Sequence, residues 1–294
     1  MFIARLIADP DSYSASVDAM RATLSELAMR LTHAETLSTD DGVLHLELSG
    51  GDAATLRRLL DRYFPGSDAI VAEREIRVPQ LFVSDMESTM SGQECIDELA
   101  DFAGLKPQIA VITERAMQGE LDFESALRER VMLLRDLSED AIQQCLNTRI
   151  EPMPGARTLV ESLKALGCRT VLVTGGFHHF ADPVAEQLGF ERVVGNRLEV
   201  ANGRMTGGLV GAITDSGVKK AVLLDEAREL GADVVTMATG DGANDIPMLE
   251  AATYGIAYRA KPKARAAANG WVERGDLTSI LRLLGVPQAK WTAN

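Results

Sequence analysis

LFVSDMESTMSGQECIDE, residues 81–98, decides how the rest of the chain is read. Leu81, Phe82, Val83 and Ser84 make a short, mostly apolar run that predicts a buried strand, and the chain then passes at once to Asp85, Glu87, Ser88 and Thr89. A parallel strand of an open α/β sheet ends where the ligand crevice begins, so carboxylates just past such a run stand where chemistry is done. An acidic turn is also a common surface feature, and the segments on either side must supply the context.

On the C-terminal side, Gly92 to Ile150 reads as wholly helical, with ECIDELADFAGL, KPQIAVITERAMQG, FESALRERVMLLRDL and EDAIQQCLNTR separated by Gly, Pro or polar breaks. An α/β alternation then resumes. GARTLVESLKALG is an amphipathic helix, CRTVLVTGG a β-branched strand running into glycines, and HHFADPVAEQLG a further helix. Parallel strands are expected. RVVGNRLEVANGRMTGGLVG carries Asn202-Gly203 between alternating segments, a hairpin signal because that pair tolerates positive φ. A helix from Val218 to Leu230, the strand segment ADVVTMATG, the turn GDGANDIPML and the short strand YGIAY follow.

On the N-terminal side, residues 1–76 alternate strand and helix signals in FIARLIA, SASVDAMRATLSELAMRL, GVLHLELSG, DAATLRRLLDRYF and AIVAEREIRV. Val17, Met20, Leu24 and Leu27 keep helical spacing, whereas His45 and Glu47 alternate with Leu44, Leu46 and Leu48 as in a strand. The pattern resembles a small βαββαβ ferredoxin-like module, either ACT-like and amino-acid sensing or simply a packing unit, with packing favoured. Arg77 to Gln80 reads as a linker into the organising strand.

Composition narrows the partners. At 46% hydrophobic and 25% charged residues the chain is an ordinary folded protein. A formal net charge of -13 repels phosphate backbones and anionic headgroups, so nucleic acid and membrane are not expected partners. The opening MFIARLIADPDS lacks the features of a signal peptide, and no apolar run reaches membrane-spanning length. Cys95, Cys145 and Cys168 are odd in number and widely spaced, which suits a reducing compartment, and a cytoplasmic location is the expectation.

Three further strand ends carry polar residues. Thr174, Gly175 and Gly176 offer a hydroxyl and exposed amides able to cradle a phosphate. Lys219 and Lys220 open a helix, where one of them is able to hold an anion. In GDGANDIPML, Asp241 and Asp245 flank Gly242 and Asn244, supplying hard oxygen ligands of the kind Mg2+ takes. His178 and His179 are adjacent on a helix and do not share a face, so they are assigned to packing or solvent.

DMEST, VTGG, a lysine before a helix and GDGANDIPML together resemble the four motifs of the haloacid dehalogenase superfamily of phosphohydrolases. Within it the chain resembles the phosphoserine phosphatase family, over about residues 78 to 285, with ECIDELADFAG, FESALRERVMLLRDL and the tail YRAKP adding to the likeness. The N-terminal module is similar, more loosely, to the ACT-like extension of longer members. The resemblance implies an α/β fold: a Rossmann-like core with a parallel sheet (residues 77–91 and 151–294), a small helical cap inserted after the first core strand (92–150), and a ferredoxin-like α+β domain (1–76).

It also implies roles. Asp85 would be the nucleophile that forms an aspartyl-phosphate. Glu87 stands where the family normally has an aspartate, the acid that protonates the leaving oxygen and then activates water. Mg2+ would be held by Asp85, the backbone carbonyl of Glu87 and Asp241, with Asp245 as ligand or neighbour. Thr174, Gly175, Lys219 (chosen over Lys220) and Asn244 would hold phosphoryl oxygens. Glu94 would take the substrate ammonium and Arg130 its carboxylate, with Phe123 as an apolar cap contact. The implied activity is Mg2+-dependent hydrolysis of O-phosphoserine, the last step of serine biosynthesis; a homodimer through the N-terminal domain is one assembly that a packing module allows, and the sequence does not fix the oligomeric state. The alternatives are a phosphotransferase, a phosphatase for another small phosphorylated metabolite, or a catalytically weakened amino-acid-binding regulator.

Overall fold

The computed structural model describes residues 1–37, 42–117 and 120–292. Gln118 and Gly119, which close the second predicted cap segment, lie outside the described residues.

The N-terminal part runs β1 (Phe2–Ile7), α1 (Tyr13–Glu26), β2 (Arg30–Leu37), β3 (Val43–Ser49), α2 (Ala53–Tyr63) and β4 (Asp68–Ala72). The organising strand β5 (Leu81–Ser84) leads into four cap helices, α3 (Cys95–Phe102), α4 (Lys106–Met117), α5 (Phe123–Leu133) and α6 (Glu139–Arg149). The α/β alternation continues with α7 (Ala156–Ala165), β6 (Arg169–Phe177), α8 (His178–Leu188), β7 (Arg192–Asn196), β8 (Leu198–Ala201), β9 (Arg204–Leu209) and α9 (Ser216–Leu230). It closes with β10 (Thr236–Gly240), α10 (Ile246–Ala251), β11 (Tyr254–Tyr258), α11 (Pro262–Ala267), β12 (Gly270–Val272) and α12 (Thr278–Leu283).

All of these strands except the β8–β9 hairpin join one sheet of order β2-β3-β1-β4-β12-β11-β10-β5-β6-β7. From β12 to β7 neighbouring strands are parallel, as a chain returning through helices requires. Both faces of β5 are covered: Phe82 belongs to the apolar cluster on one side, Leu81 and Val83 to the cluster on the other. That double burial is why the run is apolar without alternation. The chain moves from β5 to β6 and β7 on one side and to β10, β11 and β12 on the other, so the strand order reverses at β5. The crevice of an open α/β sheet lies at such a reversal, beyond the strand C-termini, and Asp85 is the residue that follows Ser84 there.

The N-terminal strands keep the ferredoxin-like order β2-β3-β1-β4, all antiparallel. Their sheet does not end at the module: β4 pairs antiparallel with β12 through Gly270↔Ile70 and Trp271↔Ala69. The buried Asp68 carboxylate locks this seam, accepting hydrogen bonds from the backbone amides of Glu273 (2.8 Å), Arg274 (2.7 Å) and Gly275 (3.0 Å).

Two boundaries differ from the sequence reading. The first helix stops at Glu26 instead of running through Leu31, because Ala28 takes a left-handed φ of 54° and the Met29 amide donates back to Leu24 O (2.9 Å). Met29 then fills the core and Arg30 begins β2. AIVAEREIRV is a strand only to Ala72, since Glu73, Arg74 and Glu75 are exposed and carry the chain off the sheet.

The cap is gripped from below. At the β8–β9 turn Asn202 and Gly203 have φ of 52° and 70°, the paired positive values of a type I′ hairpin. Gly203 O then accepts from Glu139 N, and Met205 O from Asp136 N, each at 2.9 Å. Among the described residues no helix is long and apolar enough to cross a membrane.

Candidate active site

Asp85 is fixed by its neighbours at the end of β5. Its amide donates to Thr239 O (2.9 Å) on β10, and its Oδ1 accepts from Met86 N (2.8 Å) and from Lys219 Nζ (2.7 Å). Lys219 stands on the first turn of α9, whose N-cap Asp215 accepts from Val218 N (2.9 Å). The Lys219 side chain is 1% exposed, and its ammonium also donates to Asp245 Oδ1 at 2.7 Å. Lys220 faces solvent.

The turn after β10 is folded around Asp245. Its Oδ2 accepts from the amides of Asp241 (3.1 Å) and Gly242 (3.0 Å), so both oxygens are engaged. A side chain at position 240 would place Cβ 2.4 Å from Asp245 Cγ, which is why glycine stands there. Asp241 meets Lys261 Nζ at 3.2 Å from Oδ2, and its carbonyl accepts from Lys261 N.

Asp85, Asp241 and Asp245 are all buried, and one carboxylate oxygen from each lies within 4.8 Å of the others. Burial, followed by the Asp245 charge, holds the Asp85 carboxyl well above the usual carboxylate range, with Lys219 opposing. Burial pulls the Lys219 ammonium down, yet Asp85 and Asp245 outweigh it and the group is raised. Three carboxylates facing the buried Lys219 ammonium and the exposed Lys261 ammonium still leave negative charge uncompensated. Hard oxygen donors in that state fit a divalent cation of the oxygen-seeking class.

Glu87 leaves the same turn in another direction. Its Oε1 accepts from the Cys95 amide (2.7 Å), the first N–H of α3. Burial and the nearby Glu94 charge push the Glu87 carboxyl up to about 7, against the Cys95 hydrogen bond. An acid so placed is able to give up a proton near neutral pH.

A cavity of about 160 Å³ separates core from cap. Its floor is Asp85, Glu87, Gly175, Gly176, Phe177, Asp241, Asn244 and Lys261; its roof is Glu94, Ile96, Phe123, Leu127 and Arg130. Arg130 is carried by α5, whose N-cap Asp122 accepts from Ser125 N at 2.7 Å. Glu94 accepts from Ser88 Oγ at 3.0 Å. The sequence-predicted residues Asp85, Glu87, Glu94, Phe123, Arg130, Gly175, Asn244 and Asp241 thus converge on one space, while Thr174, Lys219 and Asp245 are buried behind its floor. The Thr174 hydroxyl accepts from Gly176 N at 2.9 Å. His178 pairs with Asp182 (2.7 Å) rather than entering the site.

Sequence reasoning gave no role to Lys261, Ile96, Leu127 or Phe177. Lys261 belongs to YRAKP, which carried resemblance without chemistry, and the three apolar residues read as core.

A family model for haloacid dehalogenase-like hydrolases matches residues 82–250. A phosphoserine phosphatase of Archaeoglobus fulgidus is 38% identical over 247 residues, covering 82% of this chain and 72% of that protein. The solved structure of a HAD family hydrolase of Salmonella enterica serovar Typhi superposes with a TM-score of 0.82 at 26% identity, covering 96% of this chain and 98% of its own. A probable phosphoserine phosphatase of Vibrio cholerae, solved without ligand, gives a TM-score of 0.74 at 31% identity, covering 98% of this chain and 88% of its own.

Proposed function

We propose that this chain, which belongs to the haloacid dehalogenase-like hydrolases, is a Mg2+-dependent phosphoserine phosphatase acting through an aspartyl-phosphate. The observation that carries the reading is the buried Asp85–Lys219 pair lying under a cap that presents Glu94 and Arg130 to the same cavity. The core supplies phosphoryl transfer. The cap supplies a carboxylate and a guanidinium, the pair that a zwitterionic amino acid requires.

Asp85 attacks phosphorus, forming the P–Oδ bond as the P–O bond to serine breaks, while Glu87 gives its proton to the serine oxygen. Glu87, now a carboxylate, takes a proton from water as the water oxygen attacks phosphorus and releases Asp85 and phosphate. Lys219 holds Asp85 in place and offsets phosphoryl charge, with Thr174, Gly175 and Asn244 aligned around the transferring oxygens. Asp85, Asp241 and the Glu87 carbonyl would hold Mg2+, which supplies charge neutralisation between anionic nucleophile and anionic phosphate. Asp245, engaged on both oxygens, buttresses Lys219 and the Asp241 turn. The product is serine, which places the reaction at the end of serine biosynthesis, in a reducing compartment that suits the buried free thiols Cys95, Cys145 and Cys168.

The test is phosphate release from O-phospho-L-serine beside a panel of phosphomonoesters, with and without Mg2+. Preference for phosphoserine, dependence on Mg2+ and loss of turnover in Asp85→Asn are expected. Similar rates across the panel reject the substrate, and turnover surviving Asp85→Asn rejects the mechanism.

A further inference from the structure

We infer that Gly176 is a positioning residue for Glu87, its lack of a side chain leaving the space in which the longer carboxyl lies. The kinetic part of this inference rests on the phosphatase reading; the packing part does not.

A glutamate in place of an aspartate carries its carboxyl about one C–C bond, ~1.5 Å, further from the backbone. Here that carboxyl is held on two sides. On one, Oε1 accepts from the Cys95 amide at 2.7 Å. On the other it lies against the end of β6, where a Cβ at Gly176 would stand 3.0 Å from Glu87 Cδ and Oε2 and 3.1 Å from Oε1. The backbone of Gly176 is outside the left-handed region, so its conformation does not call for glycine. Its amide is already committed to Thr174 Oγ1 at 2.9 Å. The neighbouring glycine is not tight in this way, since a Cβ at Gly175 would meet Phe123 Cζ at an ordinary 3.5 Å. What Gly176 provides is therefore clearance for one carboxyl group.

Alanine at this position would push the acid away by about 0.4 Å, the difference between 3.0 Å and the 3.4 Å at which contacts become ordinary. If about 1 Å of misplacement costs on the order of a hundredfold, 0.4 Å costs about sixfold. Glu87→Asp withdraws the carboxyl from the clash, so the two substitutions must be non-additive.

The experiment is a four-protein cycle of wild type, Gly176→Ala, Glu87→Asp and the double variant, read by kcat and KM on O-phospho-L-serine and by thermal unfolding without ligand. Gly176→Ala is expected to lower kcat about five- to tenfold with KM within about twofold, and in the Glu87→Asp background to change kcat by less than about twofold. The unfolding midpoint is expected to fall in the Glu87 background only. An equal loss in both backgrounds, or a loss carried by KM, overturns the inference. If the wild type does not turn over phosphoserine, the phosphatase reading fails and the unfolding cycle alone decides: a drop in both backgrounds, or in neither, overturns the inference. If Glu87→Asp is too slow to measure, the unfolding cycle decides in the same way.

Discussion

Replacing Lys219 with methionine tests the electrostatics at the centre of the site. The side chain is 1% exposed and its ammonium lies 2.7 Å from both Asp85 Oδ1 and Asp245 Oδ1. Methionine keeps the apolar stem and removes the charge, so the lost packing is small and the two carboxylates lose a shared partner. Breaking a buried pair in this way costs about 3–5 kcal/mol. With an unfolding entropy of roughly 2.1 cal/mol/K per residue over 294 residues, about 0.6 kcal/mol/K, the expected fall in Tm is about 5–8 °C. The pH dependence has a definite sign. The Asp85 carboxyl is raised by burial first and by Asp245 second, and Lys219 is what opposes the rise. A folded-state pKa above the unfolded value, about 3.9 for an aspartate, gives a contribution fully present below that value and lost as pH rises through the folded one. Lys219→Met lifts the folded value further. The deficit is therefore small near pH 4 and grows toward neutrality. Calorimetry in the presence of a chelator between pH 4 and 8 measures it. A Tm within about 2 °C of wild type at pH 7.5, or a deficit independent of pH, refutes the charge argument.

Two further substitutions separate substrate choice from scaffold. Arg130→Ala removes a guanidinium facing the cavity; losing a charge-assisted bond worth about 2 kcal/mol should lower kcat/KM for phosphoserine about 30-fold, and less for a phosphomonoester without a carboxylate. Equal losses on both substrates would remove Arg130 from carboxylate recognition. Asp68→Ala frees three amides at the seam between β4 and β12, and should cost about 3 kcal/mol by denaturant unfolding while speeding hydrogen exchange at residues 273–275. Unchanged exchange there would mean that the seam is held by other contacts.

The organising stretch was legible because a strand buried on both faces must be apolar, and because carboxylates following it have few structural reasons to be there. Three of the four motif segments could be placed at strand ends, and the lysine at a helix start, from local pattern alone. Other features depend on sequence-distant partners. Choosing Lys219 over Lys220 took family spacing, and the physical reason is visible only in three dimensions: one ammonium turns inward onto Asp85 and Asp245. β12 is three residues, Gly270–Val272, too short to show alternation, and it pairs because β11 and β4 flank it. The role of Asp68 was hidden for the same reason, since the amides it holds follow some 200 residues later.

Continuity of the sheet also bears on what the N-terminal module does. β12 and β11 lie between β4 and β10, so at about 4.8 Å per strand the module's nearest edge is about 14 Å from β10, the strand that leads into Asp241. The connection combines antiparallel pairing and a buried carboxylate on three amides with side-chain contacts of Arg5 to Leu283 O and of Arg57 to Arg265 O and Ala266 O, a joint with more contacts than a hinge carries. The segment between module and core is pinned as well: Gln80 N donates to Val235 O and Gln80 O accepts from Arg169 N, each at 2.9 Å. A swinging domain would need few contacts across its boundary, and this boundary instead carries backbone hydrogen bonds from both β12 and the segment entering β5. The module therefore touches the core along two paths that lead toward the site, the register of β12, β11 and β10 and the contacts of Arg57 and Asp61 with α11, the helix that follows Lys261, and neither is a rigid-body closure over the cavity.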